Sequence, residues 1–370
     1  MRRKILEGNQ VKAMKISIWD TQMQSPIIIG SGPLSFSGDG MIRLHEAGAG
    51  AVVTKTISKV AADNPNRHMV KCDTNTLINC EKWSDFTLEQ WIQEEIPKAI
   101  NAGVNCIASV GHTIEDSAIC VEQLEAAGCM AIELVSYDEK TILPMLEDTK
   151  KRVRIPVIVK LSPNTPDFLE LAKKCEEAGA DAFTACDSMG PVLKIDIEAG
   201  RSVLGGESGY GWLTGEMIRP FTMQKVCELR KQTTLPIIGL GGIMKWQDAV
   251  EMVMAGADYI GVCSAPIMKG IQVIGQMDQQ IDRFLEEKGY RDLSDISGIA
   301  VLQLPKKDLK GEFLMAIDMD CCTRCNRCIR VCPYEAREWD QENVMKVDLD
   351  LCRSCGLCVS ICNCLSIVKG

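Results

Sequence analysis

An α/β fold, a ring of parallel strands wrapped by helices with a small α+β module behind it, is predicted by three observations. Eight short apolar, β-branched runs lie before residue 270. Segments of helical character separate them. Ten of the 19 cysteines crowd into residues 321 to 364. Near-continuous apolar strands alternating with helices describe a parallel sheet covered on its outer face. A count of eight favours closure into a (β/α)8 TIM barrel over an open, doubly wound sheet.

The strands run, in order, through residues 26–32 (PIIIGSG), 50–56 (GAVVTKT), 105–111 (NCIASVG), 130–136 (MAIELVS), 156–162 (PVIVKLS), 182–188 (AFTACDS), 236–242 (PIIGLGG) and 259–265 (YIGVCSA). Several of the intervening helices close on a small-residue stop: Ala47-Gly48-Ala49, Ala127-Gly128, Ala178-Gly179-Ala180 and Ala255-Gly256-Ala257. Glycine after the last helical residue lets the chain turn back into a strand. Thr165 followed by Pro166 predicts an N-cap and a first-turn proline for the helix after the fifth strand. An eighth helix over residues 269–289 closes the ring. Residues 290–317 lose the alternation and read as a connector, so the expected domains are a barrel over 1–289 and a small module over 318–370.

Composition narrows the function. With 46% hydrophobic and 25% charged residues, the 370-residue chain buries a sizeable core. A net charge of -9 with no basic stripe argues against nucleic acid or an anionic membrane as partner. Polar Glu7, Asn9 and Gln10 follow the basic start, and no long apolar run occurs, so neither a signal peptide nor a membrane span is expected. Cysteines at metal-ligand spacing in place of a disulfide framework indicate a reducing, cytoplasmic and anaerobic setting.

The strongest signal is Cys322-x2-Cys325-x2-Cys328-x3-Cys332-Pro333, repeated as Cys352-x2-Cys355-x2-Cys358-x3-Cys362. Soft thiolates select iron–sulfur clusters or zinc, and three ligands two residues apart wrap one corner of a cubane. Two [4Fe-4S] clusters with crossed ligation are expected: Cys322, Cys325, Cys328 and Cys362 for one, Cys352, Cys355, Cys358 and Cys332 for the other. Two zinc knuckles or a disulfide scaffold are the alternatives, and neither needs four cysteines per half. Asn363 stands where a second proline would, and Cys321 and Cys364 read as spare thiols packed beside the clusters.

Clusters exchange electrons singly, so an organic transformation coupled to them calls for a flavin. In barrels the active site lies at the C-terminal ends of the strands, with phosphate held after strands seven and eight. Here those places read Gly239-Leu240-Gly241-Gly242 and Gly261-Val262-Cys263-Ser264-Ala265, which permit close backbone approach or form plain tight turns. Lys55 and Lys160 end strands two and five. A lysine there either snorkels to solvent or projects over the barrel mouth, where it would stabilise reduced flavin.

At this point the residues resemble the dihydroorotate dehydrogenase family, and the order of barrel then double-cluster module resembles the C-terminal end of dihydropyrimidine dehydrogenase. The matching motifs are Ser31-Gly32-Pro33, Val53-Thr54-Lys55-Thr56, Val159-Lys160-Leu161-Ser162-Pro163-Asn164, Thr214-Gly215-Glu216-Met217-Ile218-Arg219-Pro220 and Ile238-Gly239-Leu240-Gly241-Gly242-Ile243. The resemblance implies FMN, with Lys160 near flavin N1/O2 and Lys55 and Thr56 on the isoalloxazine or ribityl side. Gly215, Gly241, Gly242, Cys263 and Ser264 would surround the phosphate, and Ser31 and Gly32 complete the cofactor set. It also implies a homodimer.

The departures are specific. The family's Asn-x-Ser-Cys-Pro-Asn loop after strand four, which carries its proton-transferring residue, is replaced by Glu133-Leu134-Val135-Ser136-Tyr137-Asp138. Its substrate-binding asparagine after strand six is replaced by Asp187, followed by Ser188, while Asn79 is in position to keep a second substrate amide. An acceptor-only carboxylate favours a substrate that donates hydrogen bonds or carries positive charge. Tyr137, His112, Ser136 and Asp138 are the replacement acid–base candidates, each also readable as structural.

The expected function is therefore an FMN-dependent iron–sulfur oxidoreductase moving a hydride and proton on a C–C or C–N bond of a small substrate. Electrons would pass through two [4Fe-4S] clusters to a ferredoxin or partner flavoprotein. The alternative is a non-catalytic flavin and iron–sulfur electron-transfer subunit of a larger complex; a phosphate-binding barrel with a regulatory cluster domain ranks third.

Overall fold

The computed structural model describes residues 16–309 and 313–369. The amino-terminal residues considered for a leader lie outside them. The chain divides into two compact units, Met1–Gln303 and Leu304–Gly370.

In the first unit the eight apolar runs form the eight strands of a closed parallel barrel. They are β1 (Ile27–Ile29), β2 (Ala51–Val53), β3 (Cys106–Gly111), β4 (Ala131–Val135), β5 (Val157–Leu161), β6 (Ala182–Ala185), β7 (Ile237–Leu240) and β8 (Tyr259–Val262). Each pairs with its neighbours in sequence, and β8 pairs with β1 to close the ring. The glycine stops act as expected: Gly48, Gly128, Gly179 and Gly256 all have φ between +93° and +121°, the left-handed turn that leads a helix into the next strand.

One helix begins later than the sequence suggests. Thr165 and Pro166 lie in a turn, and the helix after β5 starts at Phe168 with Asp167 as its N-cap. The serine turn at Ser162, whose hydroxyl takes the amides of Asn164, holds the chain out of helical geometry for those residues. The closing helix runs Val273–Lys288 and is capped by Gly289 in the left-handed conformation. A short helix, Ile299–Gln303, follows within the first unit.

Strand period sorts the core into two layers. Val52, Val157, Val159, Phe183, Ile237 and Ile260 face the helices in the outer core. Ile28, Ala51, Val53, Ile107, Ala131, Ile158, Ala182 and Ile238 fill the barrel interior, where Ile18 and Met23 from an N-terminal hairpin plug the floor. One inward step further up β2 to β6 the residues change character: Lys55, Ser109, Glu133, Lys160 and Thr184 are all buried there. The apolar floor forces these polar groups to satisfy one another or a ligand above them.

Above the mouth stands a four-stranded antiparallel sheet that the sequence does not announce, ordered Met189–Val192, Gly211–Gly215, Thr76–Asn79, Met69–Asp73. Its strands come from the segments following β2 and β6. They are short and partly exposed, so they lack the continuous apolar signal of the barrel strands.

The second unit repeats one motif twice. In each half the ligand loop places a residue with positive φ before its middle cysteine and another after it: Arg324 and Asn326 in the first, Ser354 and Gly356 in the second. A one-turn helix follows, Arg327–Arg330 or Leu357–Ser360. Cys328, Met345, Cys358 and Leu365 form its small core. Cys321 and Cys364 are joined in a disulfide, a correction to their expected state as spare thiols: the pairing of the strands Phe313–Ile317 and Leu365–Lys369 brings the residues flanking them together.

Candidate active site

A cavity of about 930 Å³ opens at the C-terminal ends of the barrel strands, within the range of small-molecule sites. Its lining includes all but one of the barrel residues singled out from the sequence. Ser31, Gly32, Lys55, Thr56, Lys160, Gly241, Gly242, Cys263 and Ser264 line one part. Asn79, His112, Ser136, Tyr137, Asp138, Asp187 and Ser188 line the rest. The exception is Gly215, which is not in the wall. It turns the chain at the end of a strand with φ +97°, where a Cβ would stand 2.3 Å from the Asn75 carbonyl; its neighbour Thr214 faces the cavity instead.

At the floor sits Lys160, held by register between β4 and β6: Val135 and Thr184 are its strand partners. Its ammonium lies 3.5 Å from Asp187 and 3.9 Å from Glu133. Burial alone would push Lys160 down, but those two carboxylates outweigh it and hold the amine above its ordinary value. Glu133 is raised, by burial first, with Lys160 and the Thr184 hydroxyl opposing. Its Oε1 makes no hydrogen bond, so Lys160 is what keeps a charge tolerable there. Lys55 pairs at 2.5 Å with Glu81. Beside it the hydroxyls of Ser31, Thr56 and Ser109 form a chain with links of 3.2 and 3.1 Å.

The glycine end is a turn packed too closely for side chains. Gly241 and Gly242 have φ of +123° and +85°, and a Cβ would stand 2.5 Å from Thr222 at the first and 2.5 Å from Arg219 at the second. Gly32 leaves room for the Cys263 sulfur, 2.8 Å from where its Cβ would be. The Thr214 and Ser264 hydroxyls meet at 2.8 Å beside this end. Burial pushes the Cys263 thiol up to about 11, so it is a packing group and not a nucleophile at neutral pH.

The opposite wall is aromatic. His112, Tyr137 and Trp212 stack in sequence, at 5.8 and 4.3 Å with interplanar angles of 13° and 14°. The His112 amide is anchored on Asp116, which also closes a capping box with Thr113. Burial holds the His112 ring below the ordinary histidine range, so it is neutral at pH 7. Ser136 and Asp138 are taken up locally: the Ser136 hydroxyl receives the Asp138 amide at 3.2 Å, and Asp138 caps the helix Glu139–Arg152 through the Lys140 amide. The Tyr137 hydroxyl is raised, burial leading and the Asp187 charge adding to it. The Asn79 amide donates to the Trp212 carbonyl at 3.4 Å.

Sequence reasoning missed Glu81, Trp212 and the role of Glu133. Glu81 lies two residues past Asn79 and Trp212 two before the Thr214 motif, so proximity to recognised motifs was the available signal. Glu133 is legible as a charged residue inside an otherwise apolar strand.

A family model described as dihydroorotate dehydrogenase matches residues 13–285. The chain belongs to the dihydroorotate dehydrogenase family. A second model, a 4Fe-4S dicluster domain, matches residues 314–363, so this member carries an iron–sulfur module behind its barrel. Among its relatives is the dihydroorotate dehydrogenase B (NAD(+)) catalytic subunit of Pyrococcus furiosus, 30% identical over 306 residues covering 78% of this chain and 99% of the relative. The subunit of the same name from Methanosarcina acetivorans is 33% identical over 297 residues, 75% of this chain and 93% of the relative. As a dihydroorotate dehydrogenase family member the protein is an oxidoreductase of the flavoprotein type, and the cradle suits that cofactor class: glycine backbone for a phosphate, lysines for a ring that becomes anionic on reduction. The ligand loops have the donor chemistry of an iron–sulfur group, since none of the eight motif cysteines is in a disulfide while their neighbours Cys321 and Cys364 are joined in one. Among the described residues no helix is long and apolar enough to cross a membrane.

Proposed function

We propose that the chain is an FMN-dependent iron–sulfur oxidoreductase that moves a hydride and a proton on a C–C or C–N bond of a small substrate, with its electrons passing singly to an external carrier. The observation that carries this is one cavity with a glycine cradle at one end and the Lys160–Asp187–Tyr137 group at the other. Bound FMN would supply the exchange between a two-electron transfer and single-electron delivery.

The chain's own residues divide the remaining work. Gly241, Gly242, Cys263 and Ser264 would hold the phosphate, and Ser31, Gly32, Lys55, Thr56 and Lys160 would hold the ring and ribityl chain. Lys160, kept charged by two carboxylates, offers a fixed cation at the floor. Tyr137 is the acid–base group: its raised value keeps the hydroxyl protonated and able to donate at neutral pH. His112 stacks behind Tyr137 and fixes its plane. Asn79, Asp187 and Ser188 orient the substrate. In the second unit Cys322, Cys325, Cys328 and Cys362 would hold one cluster and Cys352, Cys355, Cys358 and Cys332 the other, the crossed ligation expected of this doubled spacing.

The relatives' printed name, catalytic subunit of an NAD(+) enzyme, supports a partner flavoprotein as electron carrier, with ferredoxin the other candidate, and family likeness supports a homodimer in the cytoplasm. The loss of the family's proton-transfer loop favours a second reading, a non-catalytic electron-transfer subunit. Anaerobic, reconstituted protein is incubated with small unsaturated ring compounds and an artificial one-electron dye. Turnover by the chain alone supports the enzyme; turnover only when a second protein is added supports the subunit.

A further inference from the structure

The substrate end of the cavity is charged in a way that selects among ring compounds. Asp187 carries one oxygen that already accepts the Ser188 amide at 2.7 Å and faces Lys160 at 3.5 Å. The two buried cations of the lining are both committed, Lys160 to Glu133 and Asp187 and Lys55 to Glu81. Lys82 is exposed, and among the described residues no arginine lines the cavity. Asp138, Glu81 and Glu207 add further carboxylates to the wall. Facing these acceptors is the stacked His112–Tyr137–Trp212 wall, beside which a flat ring can lie.

We infer that the substrate is a planar nitrogen heterocycle that presents N–H donors or a positive charge to Asp187 and bears no carboxylate. This rests on the proposed oxidoreductase site and specifies what fills it. A substrate carboxylate would meet Asp187 with no uncommitted buried cation to receive it, and a like charge across a confined site is rejected. A ring with amino or protonated ring nitrogens instead forms charge-assisted hydrogen bonds, the stronger kind. Tyr137 lines the same cavity as Asp187, so both can meet such a ring.

The test is a pair of anaerobic titrations of the flavin-loaded full-length protein, following the flavin absorbance, with a diaminopyrimidine at mildly acidic pH and with orotate. The wild type should bind the diaminopyrimidine more tightly than orotate by roughly tenfold or more, and Asp187→Asn, isosteric and able to donate, should reverse the order. Tighter orotate binding by the wild type, no flavin perturbation by the diaminopyrimidine, or an order unchanged in Asp187→Asn overturns the inference. Flavin content is read first on both proteins: a wild type without flavin defeats the oxidoreductase reading itself, whereas loaded protein that prefers orotate defeats the substrate class alone.

Discussion

Lys160 and Glu133 make a buried pair whose value lies mostly in what happens when it is broken. Lys160→Met should cost about 3–5 kcal/mol, because Glu133 is then left charged in an apolar floor, while the double variant Lys160→Met/Glu133→Gln should recover a large part of that. Denaturant unfolding of the three proteins checks it; equal losses in single and double variants would refute the coupling. Tyr137→Phe should slow flavin reduction by any ring compound the wild type accepts by about a hundred- to ten-thousand-fold with flavin content unchanged. A rate within a few-fold of wild type would move the acid–base role elsewhere. His112 gives the pH dependence. Its folded value lies below the ordinary 6.5, so the unfolded ring binds a proton more readily. The stability it contributes is whole above that value and is lost as pH falls through the folded one. The melting temperature should therefore fall from neutral to mildly acid pH, and His112→Phe should flatten that limb. At this scale the sequence was legible where a charge broke an apolar strand, as at Lys55 and Lys160. It was not where a partner came from a distant segment, as Glu81 and Trp212 do.

The elements owe their positions to period and to glycine. Barrel strands were readable because burial on both faces leaves a continuous apolar run, and their helices because left-handed glycines end them. The antiparallel sheet over the mouth was not, since short, half-exposed strands such as Met69–Asp73 carry no comparable pattern. The misplaced helix start at Thr165 shows the same limit: a proline after threonine fits a turn as well as a cap, and the Ser162 hydroxyl decides for the turn. Gly242 and Gly200 separate two effects of glycine. Both have positive φ, but a Cβ at Gly242 runs into the Arg219 backbone at 2.7 Å while one at Gly200 meets nothing within 4 Å. Gly242→Ala should lose flavin and about 1–3 kcal/mol, Gly200→Ala only the backbone term of about 1 kcal/mol with flavin retained. Flavin absorbance per mole of protein and thermal unfolding distinguish them; similar flavin loss in both would remove Gly242 from the cradle.

At the scale of the whole molecule, the chain carries two units with separate cores, one with the barrel cavity and one with the pair of ligand loops. The loop spacing made the second unit the most legible part of the chain, because eight thiolates at fixed offsets leave few alternatives. The disulfide beside them was not, since pairing of Cys321 with Cys364 depends on how the terminal strands meet. Cys352→Ala should halve the iron, from about eight atoms to about four, and leave flavin content intact. The most direct measurement of the central claim is the flavin and iron content of the anaerobically purified and reconstituted chain. One FMN and about eight irons per chain are expected, with flavin and cluster absorbance both bleaching on reduction. Zinc at the thiolates, or a barrel that takes up no flavin, would contradict it.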